Sequence, residues 1–216
     1  MIDIRRYIGY SNTYLVNFHN NDGEYITIII DPSVPFTFLK KDIKGKVVGI
    51  FLTHGHFDHF SALDSLISEL GIDTPIYLHK NAYLKLNDSF MSCSQMFGCN
   101  YKRNDKYNYV FLDNNFVELN YSNGEKEVLE IINTPGHTNC SITIKYKEYL
   151  FTGDFLFNGS IGRTDLYSGN QIDMKKSLDW IKGLIKYDSE NDYYIYPGHE
   201  EETTLKEELK YNYYLQ

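Results

Sequence analysis

The sequence predicts an α/β protein, a four-layer αββα sandwich in which two β-sheets face each other and helices cover both outer faces, built as one domain over residues 1–216. Three observations lead there. Short β-branched and aromatic runs are broken by helical periods in the order strands, helix, strands, helix, strand, which suits two packed sheets with helices outside. Val47–Thr53 (VVGIFLT) is nearly continuous in apolar residues, as a strand covered on both faces would be. No linker, low-complexity tract or tandem repeat divides the chain, and 216 residues can bury a large core without disulfides.

Taken in order, Ile2–Ile8, Asn12–Phe18 and Glu24–Asp31 read as strands, separated by Gly-Tyr-Ser-Asn and Asn-Asn-Asp-Gly turn signals. After Val47–Thr53, the residues Phe60, Leu63, Leu66, Ile67 and Leu70 fall on one helical face, and Gly71 stops the helix. Pro75–His79 is another strand. Asn87–Lys106 has no period and reads as a long loop, a candidate to face the substrate, whose basic cluster of Lys102, Arg103 and Lys106 either contacts substrate or is a solvated surface. Strands return at Tyr109–Leu112, Glu127–Asn133, Ser141–Tyr146 and Tyr149–Thr152. Met174, Leu178, Ile181 and Ile185 mark a second amphipathic helix, Tyr193–Tyr196 a last strand, and a charged helix runs from about Thr203 to Tyr211.

Composition narrows the function classes. Hydrophobic residues at 42% against 23% charged exclude a disordered chain. Lys and Arg number 21 against 29 Asp and Glu, and the resulting −8 repels phosphate backbones, so no nucleic-acid partner is expected. The longest apolar runs, such as Ile26–Ile30, are far shorter than a membrane span. Asp3, Arg5 and Arg6 interrupt any leader-like segment, and the three cysteines (Cys93, Cys99, Cys140) are too few and too odd for a disulfide framework. A cytoplasmic location is therefore expected. No feature of the sequence encodes an oligomeric state.

The chemistry is concentrated in the histidines. Of 7, all but His19 and His79 sit in three tight contexts. The first is Thr53-His54-Gly55-His56-Phe57-Asp58-His59, at the end of a buried strand. An H-x-H-x-D-H pattern arises by chance in such a chain with a probability on the order of 10⁻³ or less. His54 and His56 lie two apart on an extended segment, and Gly55 is expected to bend it so that both imidazoles reach one point. Asp58 and His59 are expected to open the following helix and face a second point. The second and third contexts, Thr134-Pro135-Gly136-His137 and Tyr196-Pro197-Gly198-His199, each deliver one imidazole after a strand. Between them, Phe151-Thr152-Gly153-Asp154 ends a strand in a carboxylate. These imidazoles and carboxylates suffice for two ions sharing a bridge, and they suit Zn²⁺, Fe or Mn²⁺ more than Ca²⁺. His19 and His79 stand outside any pattern and read as structural, and Cys93 and Cys99 as plain thiols.

The set THGHFDH, TPGHT, FTGD and YPGHE resembles the metallo-β-lactamase superfamily over essentially the whole chain. Asp31 in IIIDPS matches the first, mainly structural, motif of that superfamily. SIGRTDLYSG (160–169) and the ending PGHEEETTLKEELKYNYYL are similar to short, single-domain relatives of glyoxalase II, the hydroxyacylglutathione hydrolases. The resemblance implies a dinuclear site at one edge of the two sheets. His54, His56 and His137 would hold the first ion; Asp58, His59 and His199 the second; Asp154 and a hydroxide would bridge them. On sequence grounds the GRTD loop, with Arg163 and Asp165, either braces the site and its ligands or is a plain surface turn. Glu200 stands where the relatives have Gly, and Cys140 and Tyr213 where they commonly have Gly and Pro. Residues 1–216 lack the C-terminal helical extension that helps glyoxalase II grip glutathione.

The expected reaction is therefore attack of the bridging hydroxide on the acyl carbon of a small-molecule thioester such as S-lactoylglutathione, with two divalent ions, Zn²⁺ first among them, as cofactors. Asp58 would accept or orient a proton beside that hydroxide. A thiolate leaves without much protonation, which suits a site with no further acid. Weak hold on the glutathione arm should appear as a high KM. The principal alternative is an iron-dependent persulfide dioxygenase with one Fe(II); its usual GCGRTDF differs here at Ser160, Ile161 and Leu166. A phosphodiesterase or nuclease of the same fold suits the net charge of −8 less well.

Overall fold

In the computed structural model, which describes residues 2–113, 115–187 and 192–216, the chain forms two six-stranded sheets and a small hairpin. The first half supplies β1 (Ile2–Ile8), β2 (Asn12–His19), β3 (Tyr25–Ile30), α1 (Phe36–Leu39), β4 (Lys46–Phe51), α2 (Leu63–Leu70), β5 (Ile76–His79), α3 (Lys80–Lys85) and β6 (Tyr109–Leu112). The second half supplies β7 (Phe116–Asn120), β8 (Lys126–Asn133), β9 (Ile142–Tyr146), β10 (Tyr149–Gly153), the hairpin β11 (Leu156–Phe157) and β12 (Ser160–Ile161), α4 (Gln171–Tyr187), β13 (Tyr194–Pro197), β14 (Thr203–Thr204) and α5 (Leu205–Tyr211).

The first sheet has the order β1-β2-β3-β4-β5-β6, antiparallel from β1 to β3 and parallel from β3 to β6. The second has the order β14-β13-β10-β9-β8-β7, with β10 and β13 parallel and the other pairs antiparallel. Burial sorts the side chains into three clusters that define the layers. Val16, Phe18, Ile28 and Ile30 meet Leu129, Ile131, Ile144 and Phe151 between the sheets. Leu15, Ile29, Ile50 and Leu78 point the other way, against Leu63, Leu66 and Ile67 of α2 and Ala82 of α3. Leu150 and Ile195 pack outward on Met174, Leu178 and Ile181 of α4 and Leu205 of α5. This is the αββα sandwich expected.

The two-sided burial explains the residue choice. β2 (NTYLVNFH) is buried at seven consecutive positions because one face meets the second sheet and the other meets helices. At the edge, β7 (FVELN) alternates exposed and buried.

Several local expectations are corrected. Asp58 and His59 do not open α2: they sit in a separate 3₁₀ turn, Phe57–His59, and α2 begins at Leu63. Thr203 and Thr204 pair with β13 as a strand, and the last helix starts at Leu205, capped by the Thr204 hydroxyl. The 87–106 loop contains a 3₁₀ turn, Ser94–Phe97. β7 and the β11–β12 hairpin, both short, went unrecognised in the sequence. His79 is structural as expected, its ring accepting from Asn81 N at the start of α3. No helix among the described residues is long and apolar enough to cross a membrane.

Candidate metal centre

Every ligand-type residue singled out above stands just beyond the carboxyl end of a strand: Asp31 after β3, His54 to His59 after β4, His137 after β8, Asp154 after β10, His199 after β13. The two sheets are tied together at this edge. Ile142 N donates to Thr53 O at 2.9 Å, Asn12 N to Gly198 O at 2.7 Å, and the Tyr14 hydroxyl to Pro197 O at 2.8 Å. Gly198 is required by closeness. A Cβ there would overlap Asp154 Oδ1 and stand 2.5 Å from Cε1 of His59. Gly55, between His54 and His56, is also needed for closeness rather than for the bend expected of it: it lacks a positive φ, and a Cβ would press on Lys85 and Ala82 of α3 at 3.0–3.1 Å.

Three groups of ligand atoms converge, each within 4.8 Å: His54, His56 and His137; His54, His59 and Asp154; Asp58, His59 and His199. Nε2 of His137 lies 2.9 Å from Nδ1 of His56 and 3.4 Å from Oδ2 of Asp154. Nε2 of His199 lies 3.2 Å from Oδ2 of Asp58 and 3.5 Å from Oδ2 of Asp154. Asp154 thus faces both ends of the cluster.

The decisive atoms are those without partners. His54 Nε2, His56 Nε2, His59 Nε2 and Asp154 Oδ1 are buried and accept or donate no hydrogen bond. His59 Nε2 and Asp154 Oδ1 stand 3.1 Å apart without the alignment a hydrogen bond needs. Leaving so many buried polar atoms unmade would cost about 1–3 kcal/mol each. A cation is the one group that satisfies lone pairs of imidazole and carboxylate converging from several sides, so the residues fit divalent ions.

Electrostatics agrees. Burial, reinforced by the His59 charge, holds the His54 imidazole well below its ordinary value, and burial with His137 beside it pushes His56 down to about 3. Burial also opposes a charge on His59, yet Asp154, Asp31 and Asp58 outweigh it and hold that imidazole well above its ordinary value. At His199 burial is likewise overcome, by the hydrogen bond to Asp58 and the charge of Asp154. Both carboxylates are held low against the effect of burial, Asp58 and Asp154 alike by the His59 charge first. A proton on His59 thus fills the role a cation would fill.

Surrounding groups set the ring orientations. Asp31 Oδ2 accepts from His59 Nδ1 at 2.8 Å, while Thr53 donates to Asp31 through its amide (2.8 Å) and hydroxyl (2.6 Å). Nδ1 of His137 donates to the backbone oxygen of Arg163 at 2.7 Å. The bracing expected from Arg163 therefore comes from its peptide, because its exposed guanidinium pairs with both oxygens of Asp165 at 2.6 Å. The Asp165 carboxylate is occupied by that pairing. Thr53 opens the quoted motif, but its role on Asp31 went unrecognised in the sequence; a hydroxyl residue directly before H-x-H was the available signal. Cys140 is buried beside the Thr138 hydroxyl and stands outside the ligand groups.

A cavity of about 370 Å³ opens over the cluster. Besides His56, Asp58, His137, Asp154 and His199, it is lined by Cys93, Met96, Phe97, Phe157, Gly162, Arg163 and Leu166. The 87–106 loop thus faces the site, as expected, but through Cys93, Met96 and Phe97. Two of its basic residues turn elsewhere: Lys102 Nζ donates to Asn87 O at 3.0 Å, and Arg103 lies 3.7 Å over the Tyr83 ring and pairs with Asp105. A larger hollow of about 530 Å³ behind Arg163, against α4, touches none of the ligand-type residues.

Comparison with known proteins agrees with this geometry. Residues 6–199 match the model of the metallo-beta-lactamase superfamily. A protein of Methanocaldococcus jannaschii carrying the name probable metallo-hydrolase is 36% identical over 200 residues, 89% of each chain. YqgX of Bacillus subtilis, named likewise, is 35% identical over 157 residues, 70% of this chain and 71% of that one. Among solved structures, the crystal structure of the B3 metallo-beta-lactamase BLEG-1 superposes with a TM-score of 0.77 at 27% identity, covering 100% of both chains.

Proposed function

The chain belongs to the metallo-β-lactamase superfamily and is a metal-dependent hydrolase by family and ligand set, and from that premise we propose that it hydrolyses thioesters with two divalent ions, Zn²⁺ foremost. His54, His56 and His137 would hold one ion and Asp58, His59 and His199 the other, with Asp154 shared. When bound, such ions lower the pKa of water toward neutrality and polarise a carbonyl oxygen.

The chain's own residues do the rest. Asp31 and the Arg163 carbonyl fix the tautomers and rotations of His59 and His137, so that their Nε2 atoms aim inward. Asp58, whose carboxylate lies at the cavity surface and is held ionised, accepts or orients a proton there. Phe97, Phe157, Met96 and Leu166 give the cavity an apolar wall.

One observation carries the choice of a thioester. Apart from the ligand-type residues, the described residues of the cavity wall include no carboxylic acid, imidazole or ammonium that could protonate a departing group. Cys93 is a poor donor, since burial pushes its thiol up. An amine or alkoxide needs such a donor; a thiolate leaves without one. The test is a substrate panel on protein purified without chelator, with metal content measured in parallel: thioesters including S-lactoylglutathione, a β-lactam and a phosphodiester. Preferential thioester cleavage with two ions per chain is expected. Cleavage of the β-lactam or the phosphodiester in preference would overturn the reading, as would one tightly held iron with oxygen uptake.

A further inference from the structure

We infer that the substrate carries a long apolar acyl chain, which leaves the metal cavity past Phe97 and lies in a second groove at the β1–β2 turn; this rests on the thioester reading above. The second groove, about 390 Å³, is lined by Tyr7, Ile8, Tyr10, Val34, Pro35 and Phe38, with Gly9 and Ser33, and none of these is charged. It adjoins the metal cavity at one ring pair. The Tyr10 ring stands 5.1 Å from that of Phe97, which walls the metal cavity, and Ser11 Oγ donates to the backbone oxygen of Asp58 at 3.1 Å.

Exposure points the same way. Met96, Phe97, Tyr10, Ile8 and Phe38 form one strip from the metal cavity outward, with exposures from 39% at Phe97 to 74% at Ile8. Scattered exposed apolar residues need no cause, but a contiguous strip ending at a candidate catalytic centre marks an apolar ligand. Charge argues against an anionic arm in the same place. Among the described residues, and outside the ligand-type ones, Arg163 is the one charged side chain lining either cavity, and Asp165 occupies it on two nitrogens. Among the described residues, the carboxylates of glutathione would find no free cation along this strip.

The test uses the metal-loaded protein and two series of thioesters. In one, the acyl chain grows from two to about ten carbons on a fixed small thiol, N-acetylcysteamine. In the other, the acyl group stays acetyl and the alkyl thiol lengthens. In the acyl series kcat/KM should rise about threefold per methylene, through KM, until the groove is filled. Tyr10→Ser and Phe38→Ser, with the fold checked by circular dichroism, should lower the ratio of long-chain to acetyl activity about tenfold. Cleavage of acetyl thioester with a flat or falling acyl series overturns the inference and leaves the hydrolase reading intact. A rise confined to the thiol series overturns the acyl assignment. Failure to cleave any thioester, S-lactoylglutathione included, with both ions bound would remove the thioester reading and this inference together.

Discussion

Oδ2 of Asp31 lies 2.8 Å from Nδ1 of His59, both side chains are buried, and the second Asp31 oxygen accepts the Thr53 amide at 2.8 Å. One carboxylate thus joins the ends of β3 and β4 and sets which ring nitrogen of His59 faces the cluster. Its backbone is left-handed, with φ 51°, a conformation Asn also tolerates.

Asp31→Asn is therefore the informative substitution. It keeps the shape and the backbone but removes the charge that holds His59. Divalent-metal affinity should fall about 10- to 100-fold while the far-ultraviolet circular dichroism stays unchanged. Calorimetric titration of metal into stripped protein is the measurement. Unaltered affinity would mean that Asp31 serves only the strand ends.

Asp154 stands within 3.5 Å of ring nitrogens from His59, His137 and His199. Because one carboxylate faces both ends of the cluster, Asp154→Ala should loosen both ions and remove most of the activity. Elemental analysis after dialysis, with turnover on the best thioester, decides this. Retention of two ions at near-normal turnover would contradict a shared carboxylate.

The opposite pKa shifts predict an order of metal loss. His59 and His199 are held above their ordinary value, so they keep protons to higher pH and must shed them to ligate an ion. His54 and His56 are held below it, His56 at about 3, and are already neutral at mild acidity. On acidification the ion at Asp58, His59 and His199 should leave first. In stripped protein the same raised value makes the His59 proton stabilise the fold below about pH 6.5, a contribution lost as pH rises through the folded value. Cobalt-substituted protein, followed by visible absorption and metal content from pH 8 to 5, reports the order. Simultaneous loss, or loss from the His54 side first, would contradict it.

Glu200 adopts φ 66° directly after His199. Arg6 takes its backbone oxygen and pairs instead with Glu201 and Glu202, so among the described residues the exposed Glu200 side chain has no ion pair to offset the left-handed strain. Glu200→Gly relieves that strain at some cost in unfolded-chain entropy, for a net gain of about 0.5–1 kcal/mol. Urea unfolding of both proteins under equal metal loading measures it. A loss of stability would show that the carboxylate is used.

Much of this protein was legible from its sequence because the informative residues are local and chemically unusual. H-x-H-x-D-H, the two Pro-Gly-His turns and Thr-Gly-Asp need no knowledge of the fold to read as ligands, and a continuous apolar run such as VVGIFLT reports a strand covered on both faces. Edge elements were harder. In β7 the exposed Phe116 hides an alternation that buries only Val117 and Leu119, so half the signal is missing.

By itself, then, the sequence determined the layer order of the sandwich and the set of side chains at its catalytic edge, since periodicity and rare motifs are properties of neighbouring residues. Only the tertiary structure decided what those side chains meet. Arg163 braces His137 with a peptide oxygen, an atom every residue possesses and no sequence can advertise. Lys102 and Arg103 turn from the site to Asn87 and to Tyr83 and Asp105. Phe97, from the 87–106 loop, meets Tyr10, from the β1–β2 turn, across 86 intervening positions because the Phe57–His59 turn brings the two loops to one edge. Contacts of that range depend on how the sheets are joined, and the chain expresses them only when folded.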